Sequence, residues 1–177
     1  HRAVCYSNVG DDELGRWILS ELKRETVPRD LVSVLPHTKT DLSAIIVLTQ
    51  NGERTIFHNR DANERLRIVP EKLKRTAWLF VSALNGAWRD HLDLILATRR
   101  SLGLALALNP GQHNIKEAPD VMAQAAAQAD VLLLNKDEAV ELILRTESGV
   151  SADRLDDERY LMSVLHERGS KVIGMTD

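Results

Sequence analysis

At 177 residues, 44% of them hydrophobic, the chain has the length and apolar content for one domain with a sizeable core. Charged residues make up 28% and nearly cancel to a net of -3, which leaves no electrostatic footprint for nucleic acid or an anionic membrane surface. The single cysteine, Cys5, excludes an internal disulfide, no apolar run approaches the roughly 20 residues that span a bilayer, and a cytoplasmic location is expected.

In chain order, residues 2–8 read as a first strand. Asp11 or Asp12 caps a helix running to about residue 25, whose apolar positions Leu14, Trp17, Ile18 and Leu22 follow the helical period until Val27-Pro28 ends it. A short extended segment covers 31–35. Residues 42–49 and 54–58 then flank Gln50-Asn51-Gly52-Glu53, and Asn-Gly between two β-rich runs predicts a hairpin. This hairpin breaks the strand–helix rhythm, so it is expected to project from the main sheet or extend an edge. The rhythm resumes with a helical turn at 71–75 and a strand at 77–83. A helix carrying Leu92, Ile95 and Leu96 follows, then a stop at Gly103 and a strand at 104–108. An Ala-rich helix at 118–129, a strand at 131–134, a helix at 137–145 and a loop at 147–151 come next. The last elements are a helix carrying Leu161, Val164 and Leu165, a stop at Gly169, and a strand at 171–176. Apolar strands separated by amphipathic helices predict an α/β domain with a doubly wound, mostly parallel sheet covered on both faces. The three tryptophans, Trp17, Trp78 and Trp88, are expected to anchor a core or an interface. Strands at both extremities give the further expectation that the chain is a segment of a longer polypeptide.

In an open parallel sheet, ligands bind beyond the carboxyl ends of the strands. The candidate positions are therefore 8–12, 83–86, 109–112, 135–138 and Thr176-Asp177, where amides, carboxylates and glycines concentrate. Each also has a plainer reading. Asn135 followed by Asp137 and Glu138 is what a helix N-cap and its dipole favour. Asn109-Pro110-Gly111 reads as a turn leaving a strand, and Thr176 as a β-branched strand residue. The histidines His37, His58, His91, His113 and His166 show no metal-ligand spacing. A Gly-x-Ser-x-Gly elbow, a Walker A loop and a Gly-x-Gly-x-x-Gly fingerprint are all absent, which disfavours hydrolase, P-loop and dinucleotide-binding readings.

Four segments taken in order resemble the ribokinase-like (PfkB-type) carbohydrate and nucleoside kinases over essentially the whole chain. They are Val9-Gly10-Asp11-Asp12-x-x-Gly15, Asn109-Pro110-Gly111-Gln112, Asn135-Lys136-Asp137-Glu138-Ala139 and the terminal Val172 to Asp177. The resemblance implies transfer of the ATP γ-phosphate to a hydroxyl of a small-molecule sugar or nucleoside. It implies that Asn135 and Glu138 form an Asn-x-x-Glu motif associated with the phosphates and with Mg2+, Glu138 on the metal side, and that Thr176 helps to hold the nucleotide. A strand-end amide and a first-turn carboxylate suit that task, because phosphoryl transfer needs the triphosphate's charge neutralised. Asn109 falls close to where substrate and phosphate meet. Asn85 falls where a substrate-binding polar residue often stands, although ribokinases carry Glu there.

The hairpin segment, residues 40–60, resembles the family's β-lid through Thr40-x-x-Ser43, Asn51-Gly52-Glu53-Arg54-Thr55-Ile56 and Arg60-Asp61-Ala62-Asn63, with Asp61 where Gly is more usual. Alternation aims Ser43 and Ile45 at one face, with His58 arriving from the partner strand. The likeness implies acceptor contact, exclusion of water and a homodimer through the lid. The plainer alternative is an edge hairpin packed on a neighbour. Val9 to Gly15 is read as structural, with Gly10 in a tight turn, the acids as helix caps and Gly15 allowing close helix–sheet packing.

Two family features are absent from the 177 residues: an N-terminal Gly-Gly segment whose Asn binds the acceptor, and a C-terminal Gly-Ala-Gly-Asp segment with its anion hole and general base. No residue is therefore assigned as catalytic, and the chain alone is expected to be inactive. Two alternatives stay open. One is a non-catalytic relative in which the kinase fold serves binding or dimerisation. The other is an unrelated receiver-like α/β domain, against which stand the extra hairpin and the lack of a Lys at the final strand end.

Overall fold

The computed structural model describes residues 3–147 and 150–176, so the expectations touching Arg2, Ser148, Gly149 and Asp177 lie outside the described residues. The chain divides into two compact units. One contains the residues up to Arg67 together with Asn85–Ala87, and the other contains Ile68–Leu84 and the residues from Trp88 onward.

In the first unit, β1 (Ser7–Gly10) and β2 (Val32–Leu35) pair in parallel from Ser7↔Val32 to Gly10↔Leu35, joined through α1 (Glu13–Arg24). The first strand is shorter than residues 2–8 suggested, since only its last residues find a ladder partner. Asp12 caps α1 by accepting the Gly15 N–H at 2.9 Å, and Lys23 and Arg24 complement the helix dipole at the other end. The stripe of Leu14, Trp17, Ile18 and Leu22 is not buried: Gly15 is the one buried residue of α1, and Trp17 is exposed. Strands β3 (Leu42–Val47) and β4 (Arg54–Asn59) form a separate two-stranded antiparallel sheet. Beyond the ladder, the Leu48 N–H donates to the Glu53 carbonyl at 2.8 Å, closing a loop that turns at Gly52 with φ 75°. Every residue of both strands is exposed.

The second unit alternates strands and helices: β5 (Trp78–Val81), α2 (Trp88–Leu102), β6 (Ala105–Leu108), α3 (Gln112–Glu117), α4 (Pro119–Ala127), β7 (Val131–Asn135), α5 (Lys136–Thr146), α6 (Glu158–Glu167) and β8 (Val172–Thr176). The short α3 has no apolar period to announce it, and α4 opens on Pro119, whose missing N–H is not needed there. The four strands pair in parallel in the order β5-β6-β7-β8.

That order decides which face is covered. Right-handed crossovers between strands laid down one after another put every connecting helix on the same side. Leu106, Leu108, Leu132 and Leu134 point to that side and are fully buried against Leu92, Ile115, Leu142, Ile143 and Leu161. The α/β class with a parallel sheet and flanking helices is as expected. Cover on both faces is not found within this unit: Trp78 (55% exposed), Phe80 (63%), Leu133 (36%) and Val172 (57%) stand on the other face. Of the tryptophans, Trp88 alone enters the core, its indole N–H donating to Glu117 at 2.9 Å. Trp17 and Trp78 are therefore surface residues of the chain, not core anchors.

At the amino edge, Asp130 ties the layers together. Its carboxylate takes Lys171 at 2.6 Å, Arg99 at 2.7 Å and the Leu106 N–H at 2.9 Å, which hold its pKa far below the ordinary carboxylate range. Among the described residues, no helix is long and apolar enough to cross a membrane.

Candidate functional site

The site is built where β7 becomes α5. The buried run ending at Leu134 hands over to Asn135, whose backbone is still extended (φ -82°, ψ 168°). The Asn135 side chain accepts the Glu138 N–H at 2.8 Å, and the Glu138 carboxylate accepts the Asn135 N–H at 3.1 Å. This reciprocal capping box satisfies two backbone donors that the first turn leaves without helical partners. The plainer reading of the pair is thus realised in the geometry. Neither residue is buried away, however: both are of intermediate exposure. Partial burial raises the Glu138 pKa, while the Asn135 and Gln112 N–H groups pull it back.

Two neighbours join them. In the β7–β8 ladder Asn135 is the register partner of Thr176, which is exposed. One residue past β6, the Asn109 amide donates to the Leu133 carbonyl at 2.8 Å, reaching across to β7 just before Asn135. The second unit therefore brings Asn109, Asn135, Glu138 and Thr176 together along the carboxyl edge of its sheet. Among the described residues, no group of three or more His, Cys, Asp or Glu side chains could hold a metal by itself. That donor set suits Mg2+, which keeps most of its waters and takes one or two carboxylates beside the phosphates it accompanies. The nearby crevice between Ser82–Leu84 and Pro110-Gly111 holds about 10 Å³, room for one water and no acceptor. A roomier groove of about 370 Å³ lies at the opposite, amino edge, among Arg99, Arg100, Asp130 and Lys171.

The remaining candidates belong to the first unit. The hairpin register sets Ser43 opposite His58 and Ile45 opposite Ile56, so Ser43, Ile45 and His58 share one face. Asn85 is half-buried and precedes Gly86, whose φ of 63° and approach to the Glu64 carbonyl (2.3 Å from where a Cβ would sit) fix that short segment. Nothing in the register joins Asn85 to the hairpin strands.

The Val9–Gly15 signature is structural, by a route the sequence did not disclose. The Asp12 carboxylate accepts the Thr40 hydroxyl at 2.5 Å and the Thr40 N–H at 2.9 Å as well as the helix cap, and these bonds lower its pKa to about 2. A Cβ on Gly10 would fall 2.2 Å from the Thr38 carbonyl oxygen, so this glycine serves a close approach of backbones and not a tight turn. Asp41, not singled out from the sequence, grips the far end of the hairpin by accepting the Ala62 N–H and the Asn63 side-chain amide, each at 2.8 Å. The available signal was an acid just before one hairpin strand and an amide soon after the other. Asp61 accepts the Lys39 N–H at 3.0 Å and pairs with Arg65 at 3.1 Å, which accounts for a carboxylate at that position.

Residues 1–176 match the pfkB family carbohydrate kinase. No curated protein matches the sequence. Among solved structures, the chain is similar to the fructokinase of Halothermothrix orenii, with a TM-score of 0.78 and 16% identity over 100% of this chain and 63% of that one. It is similar to a Burkholderia thailandensis nucleoside kinase in complex with inosine (TM-score 0.74, 17% identity, 99% of this chain, 53% of that one). A third likeness is to a candidate Ribokinase II from E. coli in complex with ATP and Mg2+ (TM-score 0.72, 17% identity, 97% of this chain, 55% of that one). The chain thus spans between 53% and 63% of the length of these solved chains. The parallel sheet, the strand-end residues and a match running from one end of the sequence almost to the other agree, and the chain belongs to the pfkB family of carbohydrate kinases.

Proposed function

We propose that this chain is part of an ATP-dependent phosphotransferase that phosphorylates a hydroxyl of a sugar or nucleoside. The observation that carries the reading is the gathering of Asn109, Asn135, Glu138 and Thr176 at the carboxyl edge of the β5–β8 sheet in a chain of this family. In this reading Asn135 lies near the phosphates, Thr176 helps to hold the nucleotide, and Glu138 meets the water shell of the Mg2+ that accompanies the phosphates. The bound metal supplies neutralisation of the charge on the transferring phosphoryl group. The likeness to an E. coli protein in complex with ATP and Mg2+, and to a nucleoside kinase in complex with inosine, supports the choice of cofactor and acceptor class.

Ser43, Ile45 and His58 are read as contacts to the acceptor, with Asn85 and Asn109 supplying polar groups to it. The opposite face of the hairpin carries Leu42, Ile46 and Phe57, all exposed, and is read as the surface on which two copies associate. No residue is assigned as general base, and the chain by itself is read as inactive. A cytoplasmic location accords with a supply of ATP.

The test compares the isolated chain with the complete gene product in Mg·ATP and a panel of sugars and nucleosides, following phosphorylated product by mass spectrometry. Product from the complete polypeptide, none from the 177-residue chain, and a Mg·ATP-dependent rise in the chain's melting temperature are expected. A complete polypeptide that phosphorylates nothing, together with no thermal response to Mg·ATP, overturns the reading. Turnover by the isolated chain overturns its inactive half.

A further inference from the structure

The amino edge of the β5–β8 sheet, at the end away from Asn109, Asn135 and Thr176, carries a groove that phosphoryl transfer leaves without a use. It holds about 370 Å³ and is lined by Arg99 and Arg100 from the last turn of α2, the Leu104-Ala105 entry to β6, Asp130 ahead of β7 and Lys171 ahead of β8. Its charged groups are three cations and one carboxylate. That carboxylate is already engaged, since Asp130 accepts from Lys171 at 2.6 Å, from Arg99 at 2.7 Å and from the Leu106 N–H at 2.9 Å. Arg100 has no carboxylate partner among the described residues, and its guanidinium donates to the neutral Gln128 side-chain carbonyl at 3.0 Å. The buried Arg99 Nε–H finds no acceptor, which leaves that guanidinium with donor capacity its protein partners do not use. The groove therefore keeps an excess of two positive charges, in a chain whose net charge is -3. Like charges gathered around one groove repel one another, and an anion seated among them removes that repulsion.

We propose that this groove binds a small molecule through a phosphate group, at a site separate from the carboxyl edge. A phosphate dianion matches the excess of two charges. Arg99 and Arg100 offer planar N–H forks suited to its oxygens, and Lys171 adds a point charge. Asp130 fixes Arg99 and Lys171 before any ligand arrives, which lowers the ordering cost of binding. The space falls at the small end of the range for ligand sites, so it suits a phosphorylated small molecule, and the overall negative charge of the chain disfavours a nucleic-acid strand. The inference uses nothing of the kinase reading. Asp130 and Asn135 stand at opposite ends of β7, and five residues of strand put roughly 16 Å between the two sites.

The test titrates the complete gene product with inorganic phosphate and with glycerol 3-phosphate, at an ionic strength held constant with sodium chloride, and follows backbone amides by NMR. Saturable shifts at Gly103, Leu104, Ala105 and Lys171 are expected, with half-saturation at or below about 5 mM. Arg100→Gln removes one of the two excess charges at an exposed residue and is expected to weaken binding about tenfold, while unchanged amide shifts elsewhere show that the fold is kept. Lys171→Gln, also at an exposed residue, is expected to weaken it to a similar degree. Shifts confined to Asn109, Asn135 and Thr176 would put the phosphate at the carboxyl edge and overturn the proposal. Shifts at the groove that rise without saturating, an affinity unchanged in either variant, or tighter binding of succinate than of phosphate would each overturn it as well. Binding is read independently of catalysis, so an inactive product that still shows the saturable shifts keeps this inference while sinking the kinase reading.

Discussion

Replacing Glu138 with Gln separates the two roles assigned to this residue. As part of the cap, its carboxylate accepts the Asn135 N–H at 3.1 Å while Asn135 accepts the Glu138 N–H at 2.8 Å. Gln offers a carbonyl oxygen in the same place, so the reciprocal cap survives. Charge is what changes. Burial raises the Glu138 pKa, so its ionised form is less favourable in the fold than in the unfolded chain. A carboxyl raised in this way contributes stability below its unfolded pKa, and that contribution is lost as pH rises through the folded pKa. At pH 7 the ionised side chain is therefore a cost that Gln removes, set against a hydrogen bond weakened by about 1 kcal/mol at most. At about 2–4 °C per kcal/mol for a chain of this size, the midpoint without ligand stays within roughly 4 °C of wild type.

The response to nucleotide should behave differently. A ligand at 100 times its dissociation constant stabilises by about 2.7 kcal/mol, a shift of roughly 5–10 °C. If the Glu138 charge helps to hold Mg·ATP, a tenfold loss of affinity leaves about 1.4 kcal/mol, and the shift is halved. Differential scanning fluorimetry of both proteins, with and without Mg·ATP at a fixed concentration, measures both quantities. An unchanged nucleotide shift would make Glu138 a cap and nothing more. A fall of the ligand-free midpoint well beyond 4 °C would refute the claim that Gln preserves the capping box.

Gly10→Ala drives a methyl group to 2.2 Å from the Thr38 carbonyl, and because both partners are backbone the clash cannot be relieved by a rotamer. A loss of about 1–3 kcal/mol or more is expected, read as faster hydrogen exchange at Gly10, Gly15 and Thr40 with the β5–β8 sheet unaffected. Asp12 has a folded pKa of about 2 against an ordinary 3.8, so its contribution to stability is present above the unfolded value and is lost as pH falls toward 2. Carboxyl chemical shifts followed by NMR should show Asp12 titrating well below the ordinary aspartate value, and Thr40→Val, which removes the hydroxyl that lowers it most, should move that titration upward. A titration left in place would remove Thr40 as the cause.

What the sequence determined by itself is local. Strand–helix alternation, a cap at Asp11 or Asp12, the break at Gly103, the hairpin around Asn51-Gly52 and the strand-to-helix junction at Asn135 all depend on residues within one or two turns of each other. Periodicity and capping chemistry carry such information, so the rhythm of elements and the strand-end candidates were legible there. Tertiary structure decided the rest, because chain-distant partners leave no periodic trace. Thr40 reaches back 28 positions to Asp12. Asp130 gathers Arg99 and Lys171 from the flanking elements. Strand order is a further long-range choice, and it settled the matter alternation could not. An apolar strand has two apolar faces, and only the one-way succession of β5 to β8 with right-handed crossovers buried Leu132 and left Leu133 bare.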